Sequence, residues 1–526
     1  MLQAIENRTL SFRTFLRDYA YWLPPATLAL ALTLLYSNPF IGDWDALDYT
    51  IYSLRGEPSS MALGRSLFTV GNHALYVMAH SLFGLRPERA YLLFKYAVVA
   101  EVPLAVIVCW ILARDLTGSA RSATIAALLV AVSPMLIIYG GQVMTDVPSV
   151  LVSTTAVLIY LRGAEGQRVW LMFLGAALLG LGVNLRETAG LYFPWIIAAP
   201  FVSGWKLDRR TMVVVIWSLM IFFICSFGIF AYWFISDPAY RETWQVWRLS
   251  AQNEAARHPL SLSNLRPFLI YFFLVAPLAF VALPFAGWKE WRERGWSKLL
   301  TATIVGLFAN AMLLLNYSTI VNWRYFLTGL PMLAPLAADY LFRSEASRLG
   351  SERRGFVISI SGIILVASLT ALLISPRSSE YLNRLALAKD YDERLRLLPT
   401  NAVVIAGSET IAVTYWRGIG AGHWETIGVG AGWPQEGLEK AIDNSFKAGR
   451  RIFLDADPRW WQPCAWRLTE IQELVRIEPR FHFRRVAPTI YEIRPLDDQS
   501  AMDQPHLEFL LPEKRPEEVR RCFNSE

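Results

Sequence analysis

Eleven apolar stretches, each about as long as a membrane span, follow one another through the first 375 residues. A helix needs roughly 20 mostly apolar residues to cross a hydrocarbon core of about 30 Å. The whole chain has 526 residues, of which 54% are hydrophobic and 18% charged, a composition unlike that of soluble proteins. The sequence therefore predicts a polytopic α-helical membrane protein with about 11 spans, at residues 20–39, 91–113, 120–139, 146–161, 169–184, 188–204, 211–235, 267–287, 298–317, 323–342 and 355–375.

The basic residues indicate which side of the membrane each connection occupies. Positively charged short loops stay in the cytoplasm. With residues 1–19 inside, every connection predicted to be cytoplasmic is basic, with Arg114, Arg121, Arg162, Arg168, Lys206, Arg209, Arg210, Lys289, Arg292, Arg294, Lys298, Arg343, Arg348, Arg353 and Arg354. This topology accounts for the net charge of +6 without nucleic acid. It places the loops 40–90 and 236–266, and everything after residue 375, outside the cytoplasmic membrane.

The C-terminal segment 376–526 differs in character from the apolar part. Short β-branched runs in "LPTNAVVIAG", "RRIFLDAD" and "RVAPTIYEIRP" predict strands, and "QEGLEKAIDNSFKAG" predicts a helix between them. We expect a small extracytoplasmic (periplasmic) α/β domain with a loose C-terminal tail, in which Cys464 and Cys522 could pair. Trp460, Trp461 and Trp466 could stack on sugar or face the membrane surface.

Three carboxylates stand in the first outer loop, in "IGDWDALDYTIYSLRG". Apolar residues at helical spacing predict a helix lying in the membrane interface, with Leu47, Ile51 and Leu54 on its apolar face. Asp45 and Asp48 could cap this helix and complement its dipole, and Asp43 precedes them. That structural interpretation does not exclude a chemical role.

Other charged residues are predicted at the same outer membrane level. Asp146 opens the fourth span, Arg186 and Glu187 lie at the junction of the fifth and sixth spans, and Arg324 opens the tenth. Taken singly, they could be a helix cap, a turn pair and a side chain reaching the headgroups. Together they are what an outward-opening polar cavity would need, because charges at this depth require water or partners.

Carboxylates and arginines at an outer membrane face suit transfer of a sugar from a lipid phosphate. The leaving group is already an anion, so no strong general acid is needed. Arginines can hold the phosphate and offset its developing charge, and a carboxylate can take the proton of the attacking hydroxyl. The predicted residues match that requirement.

The order of these elements and their local sequence motifs resemble those of the GT-C glycosyltransferases over about residues 20–345. The resemblance is to the branch of bacterial protein O-mannosyltransferases, aminoarabinose transferases and enzymes similar to dolichyl-phosphate-mannose-protein mannosyltransferases. It rests on four motifs in order: "DALDY", with Asp45 and Tyr49 but Ala46 where the family often has Glu; "TDVP" at 145–148; Arg186; and "RYFLTGLP" at 324–331.

The resemblance implies a role for each matching residue. Asp45 would be the general base with Asp43 in reserve, Asp146 a second acid of the catalytic cavity that orients acceptor or donor, and Arg186 and Arg324 the donor phosphate ligands. Substrate-cavity residues would be Glu187, Tyr49, Tyr325, Trp247 and Arg248, the last two on loop 236–266, which could be a mobile lid or an interfacial helix. No cofactor is certain. Some enzymes of the family use a divalent cation and others do not, so a cation (Mg²⁺, Mn²⁺ or Ca²⁺) on Asp43 and Asp45 is left open.

We therefore expect an inverting glycosyltransferase of a bacterial inner membrane. It would move a hexosyl or pentosyl group from a polyprenyl-phosphate donor to a hydroxyl of an envelope lipid, glycan or protein at the outer face. The alternative is a transporter or a flippase for lipid-linked sugars that uses the same charges in an outward-facing cavity. Transporters often show internal repeats and broken spans near the midplane, whereas these charges gather at one end of the spans.

Overall fold

The structure is a computed structural model that describes residues 19–41, 44–257, 265–312, 323–349, 351–407, 410–421, 425–429, 437–463, 468–497 and 503–518. The chain divides into two compact units. The first comprises Met1–Leu85 and Ala90–Ser379, and the second comprises Arg86–Arg89 and Glu380–Glu526. The predicted assignment of 1–19, 20–375 and 376–526 to the two sides of the membrane stays a prediction.

All regular secondary structure among the described residues of the first unit is helical. Its helices are α1 Tyr19–Leu35, α2 Trp44–Arg55, α3 Ser66–Phe83, α4 Ala90–Thr117, α5 Ala120–Ala131, α6 Pro134–Gly140, α7 Asp146–Glu165, α8 Val169–Val183, α9 Phe193–Val202, α10 Arg209–Ser236, α11 Pro238–Arg257, α12 Leu265–Val275, α13 Pro277–Arg294, α14 Lys298–Met312 and α15 Leu330–Leu349. Short 3-10 helices at Ala62–Arg65, Glu187–Tyr192 and Trp323–Leu327 connect them. Helix α16, Glu352–Leu395, begins in this unit, and its residues from Glu380 onward are assigned to the second.

Each predicted span overlaps at least one of these helices, and the polytopic helical architecture is confirmed. By length and hydropathy, four helices of the described chain qualify as complete spans, α4, α7, α10 and α16. The bent pairs α5–α6 and α12–α13 raise the number to six, and α1, α8 and α14 are shorter apolar helices. The number eleven is not confirmed by this criterion.

Both bent pairs break immediately before a proline. The helix axes turn by 59° between α5 and α6 and by 104° between α12 and α13. Pro134 and Pro277 each stand at the start of the second helix, and the residues before them, Ser133 and Ala276, have non-helical backbone angles. A proline disfavours the α conformation in the preceding residue while fitting the first turn of a new helix, so each break follows from local sequence.

Helices α7, α8 and α10 pack closely because glycines line α8. A methyl group on Gly175 would stand 2.8 Å from Tyr160 Cβ on α7, and one on Gly180 would clash with the Phe222 carbonyl oxygen on α10. Small residues permit such close approach between helices in membranes. The opposite side of α10 exposes large apolar side chains suited to lipid, at Ile216, Trp217, Met220, Phe223, Ile224 and Phe227.

The second unit contains a five-stranded sheet. The strands are β1 Ala402–Ala406, β2 Glu425–Gly428, β3 Arg451–Asp455, β4 His482–Arg485 and β5 Ile490–Arg494, in the order β2-β1-β3-β5-β4. β1 pairs in parallel with β2 and β3, whereas β5 is antiparallel to β3 and β4. Its helices are α17 Ile411–Ala421, α18 Leu438–Lys447 and α19 Leu468–Ile477. The predicted small α/β domain is confirmed in its fold.

The tryptophans of this unit belong to its core. Trp460 and Trp461 are both buried. Their indole nitrogens donate to Asp455, at 3.1 Å to Oδ2 and 2.7 Å to the carbonyl oxygen respectively. Neither side chain is therefore available to a sugar or to the membrane surface, and both interpretations were wrong for these two residues. Trp466, Cys464 and Cys522 lie outside the described residues.

Candidate active site

Asp45 lies in the first turn of α2 and forms an ion pair with Arg324. Arg324 Nη2 donates to Asp45 Oδ2 at 2.5 Å, and the side chains are 7% and 16% exposed respectively. Arg324 belongs to the 3-10 helix Trp323–Leu327, so the pair joins two elements 279 residues apart. The structure thus brings the predicted base and a predicted phosphate ligand into direct contact.

A second ion pair links Asp146 to Arg186. Asp146 is the first residue of α7, and Arg186 immediately precedes the 3-10 helix Glu187–Tyr192. Arg186 Nη1 lies 2.6 Å from Asp146 Oδ2, and both side chains are almost wholly buried. Arg186 also donates to Thr145 Oγ1 at 3.3 Å. The "TDVP" motif therefore holds this arginine through two adjacent residues.

A third arginine, Arg65, joins the cluster although the sequence reasoning missed it. Arg65 Nη2 donates to Glu187 Oε1 at 3.3 Å, and the guanidinium lies 5.5 Å from the Tyr49 ring centroid. Arg65 is buried and ends a turn in which Leu63, Gly64 and Arg65 have φ of 51°, 70° and 41°. Left-handed conformations cost about 1–3 kcal/mol for non-glycine residues and tend to occur at functional sites.

Tyrosine rings connect the arginines. The Tyr325 centroid is 4.6 Å from the Arg186 guanidinium and 5.6 Å from that of Arg324. Tyr139 lies 5.5 Å from Arg324 on another side. Cation–π contacts of this kind are worth about 0.5–2 kcal/mol each and replace water around the cations. They fix the guanidinium planes while leaving their edges to other partners.

Several buried N–H donors of these arginines are not used. Five of these nitrogen atoms have no hydrogen-bond acceptor among the described residues: Nε and Nη1 of Arg65, Nε and Nη2 of Arg186, and Nε of Arg324. Leaving buried donors unpaired costs about 1–3 kcal/mol each or more when they are charged. The acceptors that suit an arginine fork best are carboxylate and phosphate oxygens. The cluster is therefore prepared for an anion that supplies several oxygens.

The surrounding arginines keep two carboxylates ionised. Burial acts to raise the pKa of Asp45, but Arg324, then Arg65 and Arg186, outweigh it and hold that pKa below its ordinary value. For Glu187, burial is likewise outweighed, by Arg65 first and then Arg186, so its pKa is also lowered. At neutral pH both groups are anions. An ionised Asp45 can accept a proton.

The other predicted site residues are placed as follows. Tyr49, Tyr325 and Glu187 belong to the cluster through the contacts above. Arg248 is exposed on α11, with its guanidinium 5.5 Å from the Trp244 ring. Trp247 is on the same helix, but its side chain is outside the described part, and so is the whole of Asp43.

The described residues contain no group of three or more His, Cys, Asp or Glu that could hold a metal ion. Asp45 already has Arg324 as its partner at 2.5 Å. Because Asp43 is outside that part of the chain, the divalent-cation site on Asp43 and Asp45 stays a prediction.

Both the sequence and the fold of this chain are similar to those of known proteins. Residues 74–233 match the family model "Dolichyl-phosphate-mannose-protein mannosyltransferase". The structure is similar to the crystal structure of ArnT from Cupriavidus metallidurans bound to undecaprenyl phosphate, with a TM-score of 0.58 and 14% identity over 92% of this chain and 100% of that one. The comparison with curated proteins found no significant match.

The family match covers helices α4 to α9 and most of α10, and it includes Asp146 and Arg186. At 14% identity, the likeness to ArnT concerns the fold alone, but it extends over nearly the whole chain, including the C-terminal unit. The resemblance of this chain to the GT-C glycosyltransferases is thereby confirmed, in sequence over residues 74–233 and in fold over 92% of its length.

Proposed function

We propose that the protein is a glycosyltransferase that moves a sugar from a polyprenyl-phosphate donor to a hydroxyl acceptor. The observation that carries this proposal is the arrangement of Arg65, Arg186 and Arg324, three buried arginines with unused donors, beside the ionised Asp45. The names of the matched proteins support the lipid-linked donor, since one refers to dolichyl-phosphate-mannose and the other to bound undecaprenyl phosphate.

The three arginines would bind the donor phosphate. Their unpaired N–H groups provide charge-assisted hydrogen bonds, which are about twice as strong as neutral ones. In the present structure each arginine is neutralised by one carboxylate, at 2.5 Å for Arg324, 2.6 Å for Arg186 and 3.3 Å for Arg65. A phosphate would add negative charge to a cluster with three cations and three anions, so at least one existing ion pair has to loosen.

The Asp45–Arg324 pair is the one whose loosening would start catalysis. Asp45 is the more exposed carboxylate of the two shortest pairs, at 16% against 2% for Asp146. When phosphate oxygens take Arg324, Asp45 loses its strongest attractive partner and becomes a better base. Donor binding would thus activate the base for the acceptor that follows.

The transfer itself would be a single displacement with inversion at the anomeric carbon. The acceptor oxygen forms a bond to that carbon as the bond from carbon to phosphate oxygen breaks. The electron pair of the broken bond stays on the polyprenyl phosphate, whose charge the arginines stabilise. The acceptor proton goes to Asp45, which acts as general base.

Asp146 would act through Arg186. Its carboxylate is 2% exposed and is held against the guanidinium, which itself faces Tyr325. This geometry supports an orienting role, in which Asp146 fixes the direction of the unused Nε and Nη2 of Arg186. A direct catalytic role for Asp146 stays a prediction.

We further propose that the reaction takes place at the outer face of a bacterial inner membrane, with residues 376–526 in the periplasm. The basic connections 114–121, 162–168 and 205–210 support this orientation. The acceptor would be a hydroxyl of an envelope lipid, glycan or protein, which reaches the cluster from the same side.

A transfer assay tests the proposal. Purified full-length protein is incubated with a panel of radiolabelled polyprenyl-phosphate sugars and membrane extract, alongside Asp45→Asn and, as a control, Asp115→Asn. Asp115 forms a separate ion pair with Arg162 at 2.7 Å. We expect transfer by wild type and the control, and a loss of about 10²–10⁴-fold for Asp45→Asn. Equal transfer by Asp45→Asn would remove Asp45 as the base.

Movement of intact donor across a vesicle membrane, without transfer to any acceptor, would favour the transporter alternative. The same preparation therefore serves both tests. Donor flux is measured with the purified protein in proteoliposomes, and transfer with the same protein in the presence of membrane extract.

A further inference from the structure

Asp48 is a buried carboxylate that the reaction above does not use. It lies one turn after Asp45 on α2, and it is 7% exposed. Ser59 Oγ donates to its Oδ2 at 2.5 Å, and Ser60 Oγ donates to its Oδ1. Each carboxylate oxygen is therefore bound by one serine of the segment that follows α2.

Ser59 connects this carboxylate to the turn that carries Arg65. The Ser59 amide donates to the Gly64 carbonyl oxygen at 2.6 Å, and its hydroxyl oxygen accepts the Met61 amide at 3.0 Å. The Gly64 amide in turn donates to the Met61 carbonyl oxygen at 2.9 Å. Residues 59–64 thus form a closed hydrogen-bonded loop, and the two serine contacts attach this loop to Asp48 on α2.

The loop is constrained from its other side as well. A Cβ on Gly64 would stand 2.7 Å from the Tyr240 hydroxyl of α11 and 2.9 Å from Pro58 Cβ. Leu63 and Arg65 flank this glycine in left-handed conformations. Such a turn persists only when its surroundings hold it, and here they are the serine contacts and the packing on Gly64.

We propose that Asp48 is a positioning residue for the donor site, which acts by fixing residues 59–65 so that Arg65 presents its unused donors to the lipid phosphate. The inference rests on the proposed function, because the phosphate is the ligand that Arg65 would bind. Asp48 itself touches neither the donor nor the acceptor.

The requirement for a carboxylate, and not an amide, follows from hydrogen-bond direction. An ionised carboxylate only accepts, so both serine hydroxyls must donate to it. The Ser59 oxygen is then left to accept the Met61 amide, as observed. An asparagine would offer one acceptor and one donor, and one of the two serine contacts would have to reverse. At the same time the substitution removes a charge that is unfavourable when buried.

A purely structural role and the positioning role therefore predict different results for Asp48→Asn. If Asp48 only stabilised the fold, loss of ligand binding would accompany loss of thermal stability. The positioning role predicts that Asp48→Asn keeps or raises the unfolding temperature and yet weakens phosphate binding. Both quantities are measured on the full-length protein in detergent, with undecaprenyl phosphate as the probe.

A double-mutant cycle shows whether Asp48 acts through Arg65. We expect Asp48→Asn and Arg65→Gln each to weaken binding roughly tenfold, the effect of losing about one charge-assisted hydrogen bond. Under the positioning role, Asp48→Asn should add nothing in the Arg65→Gln background, because that role acts through Arg65. Asp115→Asn, the control from a distant ion pair, should bind like wild type.

The two serines provide a matched pair that does not depend on Asp48 itself. Ser59→Ala breaks both the Asp48 contact and the Met61 contact, whereas Ser60→Ala breaks only the Asp48 contact among those described here. Ser59→Ala should weaken binding more than Ser60→Ala. This comparison tests whether the loop 59–64 transmits the effect of Asp48 to Arg65, even if Asp48→Asn were to fold poorly.

Four results would overturn the inference. They are a loss of binding by Asp48→Asn that accompanies a lower unfolding temperature, unchanged binding by Asp48→Asn and by Ser59→Ala, a further loss when Asp48→Asn is added to Arg65→Gln, and a Ser60→Ala defect larger than that of Ser59→Ala. Failure of the wild-type protein to bind undecaprenyl phosphate would instead refute the proposed donor site, and the inference with it.

Discussion

At the scale of single residues, the site is a set of carboxylate–arginine pairs in which each partner depends on the other. Asp146 and Arg186 are the most deeply buried pair, at 2% and 1% exposed. A buried ion pair of this kind need not stabilise the folded protein, because the cost of removing both charges from water can cancel their attraction. Removing only one partner is a different matter, since the remaining charge stays buried without compensation.

Asp146→Ala should therefore destabilise the protein by about 3–5 kcal/mol, measured by denaturant or thermal unfolding in detergent. The double variant Asp146→Ala with Arg186→Met should recover much of that loss, because it no longer contains the uncompensated guanidinium. Equal destabilisation by the single and the double variant would show that the ion pair is not what Asp146 contributes.

The buried carboxyl group of Asp48 should make the free energy of unfolding depend on pH. Burial raises its pKa from 3.8 to about 6, against the opposing hydrogen bonds of Ser59 and Ser60. The folded state thus binds this proton more tightly than the unfolded state, and the Asp48 contribution to stability falls as pH rises through 6.

The stability difference between Asp48→Asn and wild type should therefore grow in favour of the variant as pH rises from about 4.5 to 7.5. A pKa difference of about two units between the folded and unfolded states corresponds to about 3 kcal/mol, which is an upper limit for the change in this stability difference. Unfolding curves of both proteins over this range measure it. A difference that is flat with pH would contradict the raised pKa.

The sequence predicted most of the charged cluster but not all of it. Asp45, Asp146, Arg186 and Arg324 follow from their positions at span ends on the side predicted to be outer, and the structure brings them together. Arg65 could not be predicted in this way, because its place depends on three successive positive φ angles at 63–65. Only Gly64 in "MALGRS" gives a local sign of that backbone.

At the scale of elements, hydropathy is sufficient to locate helices but not their bends or contacts. The break between α12 and α13 turns the chain by 104° within a stretch that reads as one continuous apolar span. Only Pro277 marks it, and other prolines lie inside helices, such as Pro103 in α4 and Pro335 in α15. Tertiary packing decides which proline breaks a helix, and this packing cannot be predicted from the local sequence.

The strands show the same limit. β1, β3 and β5 are predicted because their residues are apolar and β-branched, and all five residues of β1 are buried. β2 has four residues and β4 reads "HFRR", so neither carries a distinct strand pattern. Their pairing with β1 and β5 depends on neighbours distant in sequence.

The glycine contacts of α8 give a prediction at this scale. Gly180→Ala places a methyl group against the backbone of α10 at Phe222, which cannot move as a side chain would. Overpacking of this kind costs about 1–3 kcal/mol. Gly228→Ala on α10 is the matched control, because no atom lies within 4 Å of its added Cβ.

We expect a lower unfolding temperature for Gly180→Ala and an unchanged or higher one for Gly228→Ala, since alanine favours a helix over glycine. A similar decrease for both variants would show that the α8–α10 contact is not specific.

At the scale of the whole molecule, the proposed site needs Asp45, Asp146, Arg186 and Arg324 on the same side of the membrane. The contacts in the first unit bring them together. Which side that is depends on the orientation predicted from the basic loops.

A reporter fused after residue 375 tests that orientation. An alkaline phosphatase fusion at this position should be active and a green fluorescent protein fusion dark, as expected for an extracytoplasmic C-terminal segment. The reverse pattern would place the segment in the cytoplasm and contradict the outer-face proposal. Fusions after residue 205, in a basic loop, provide the opposite control.

The most direct test of the central claim is to follow the fate of the lipid donor. In a single-turnover reaction with labelled polyprenyl-phosphate sugar and acceptor membranes, wild type should release free polyprenyl phosphate at the rate at which labelled acceptor forms. Asp45→Asn should bind the donor but leave it intact, with release slowed about 10²–10⁴-fold. Intact donor recovered from wild type across the whole panel, or equal release by both proteins, would contradict the assignment.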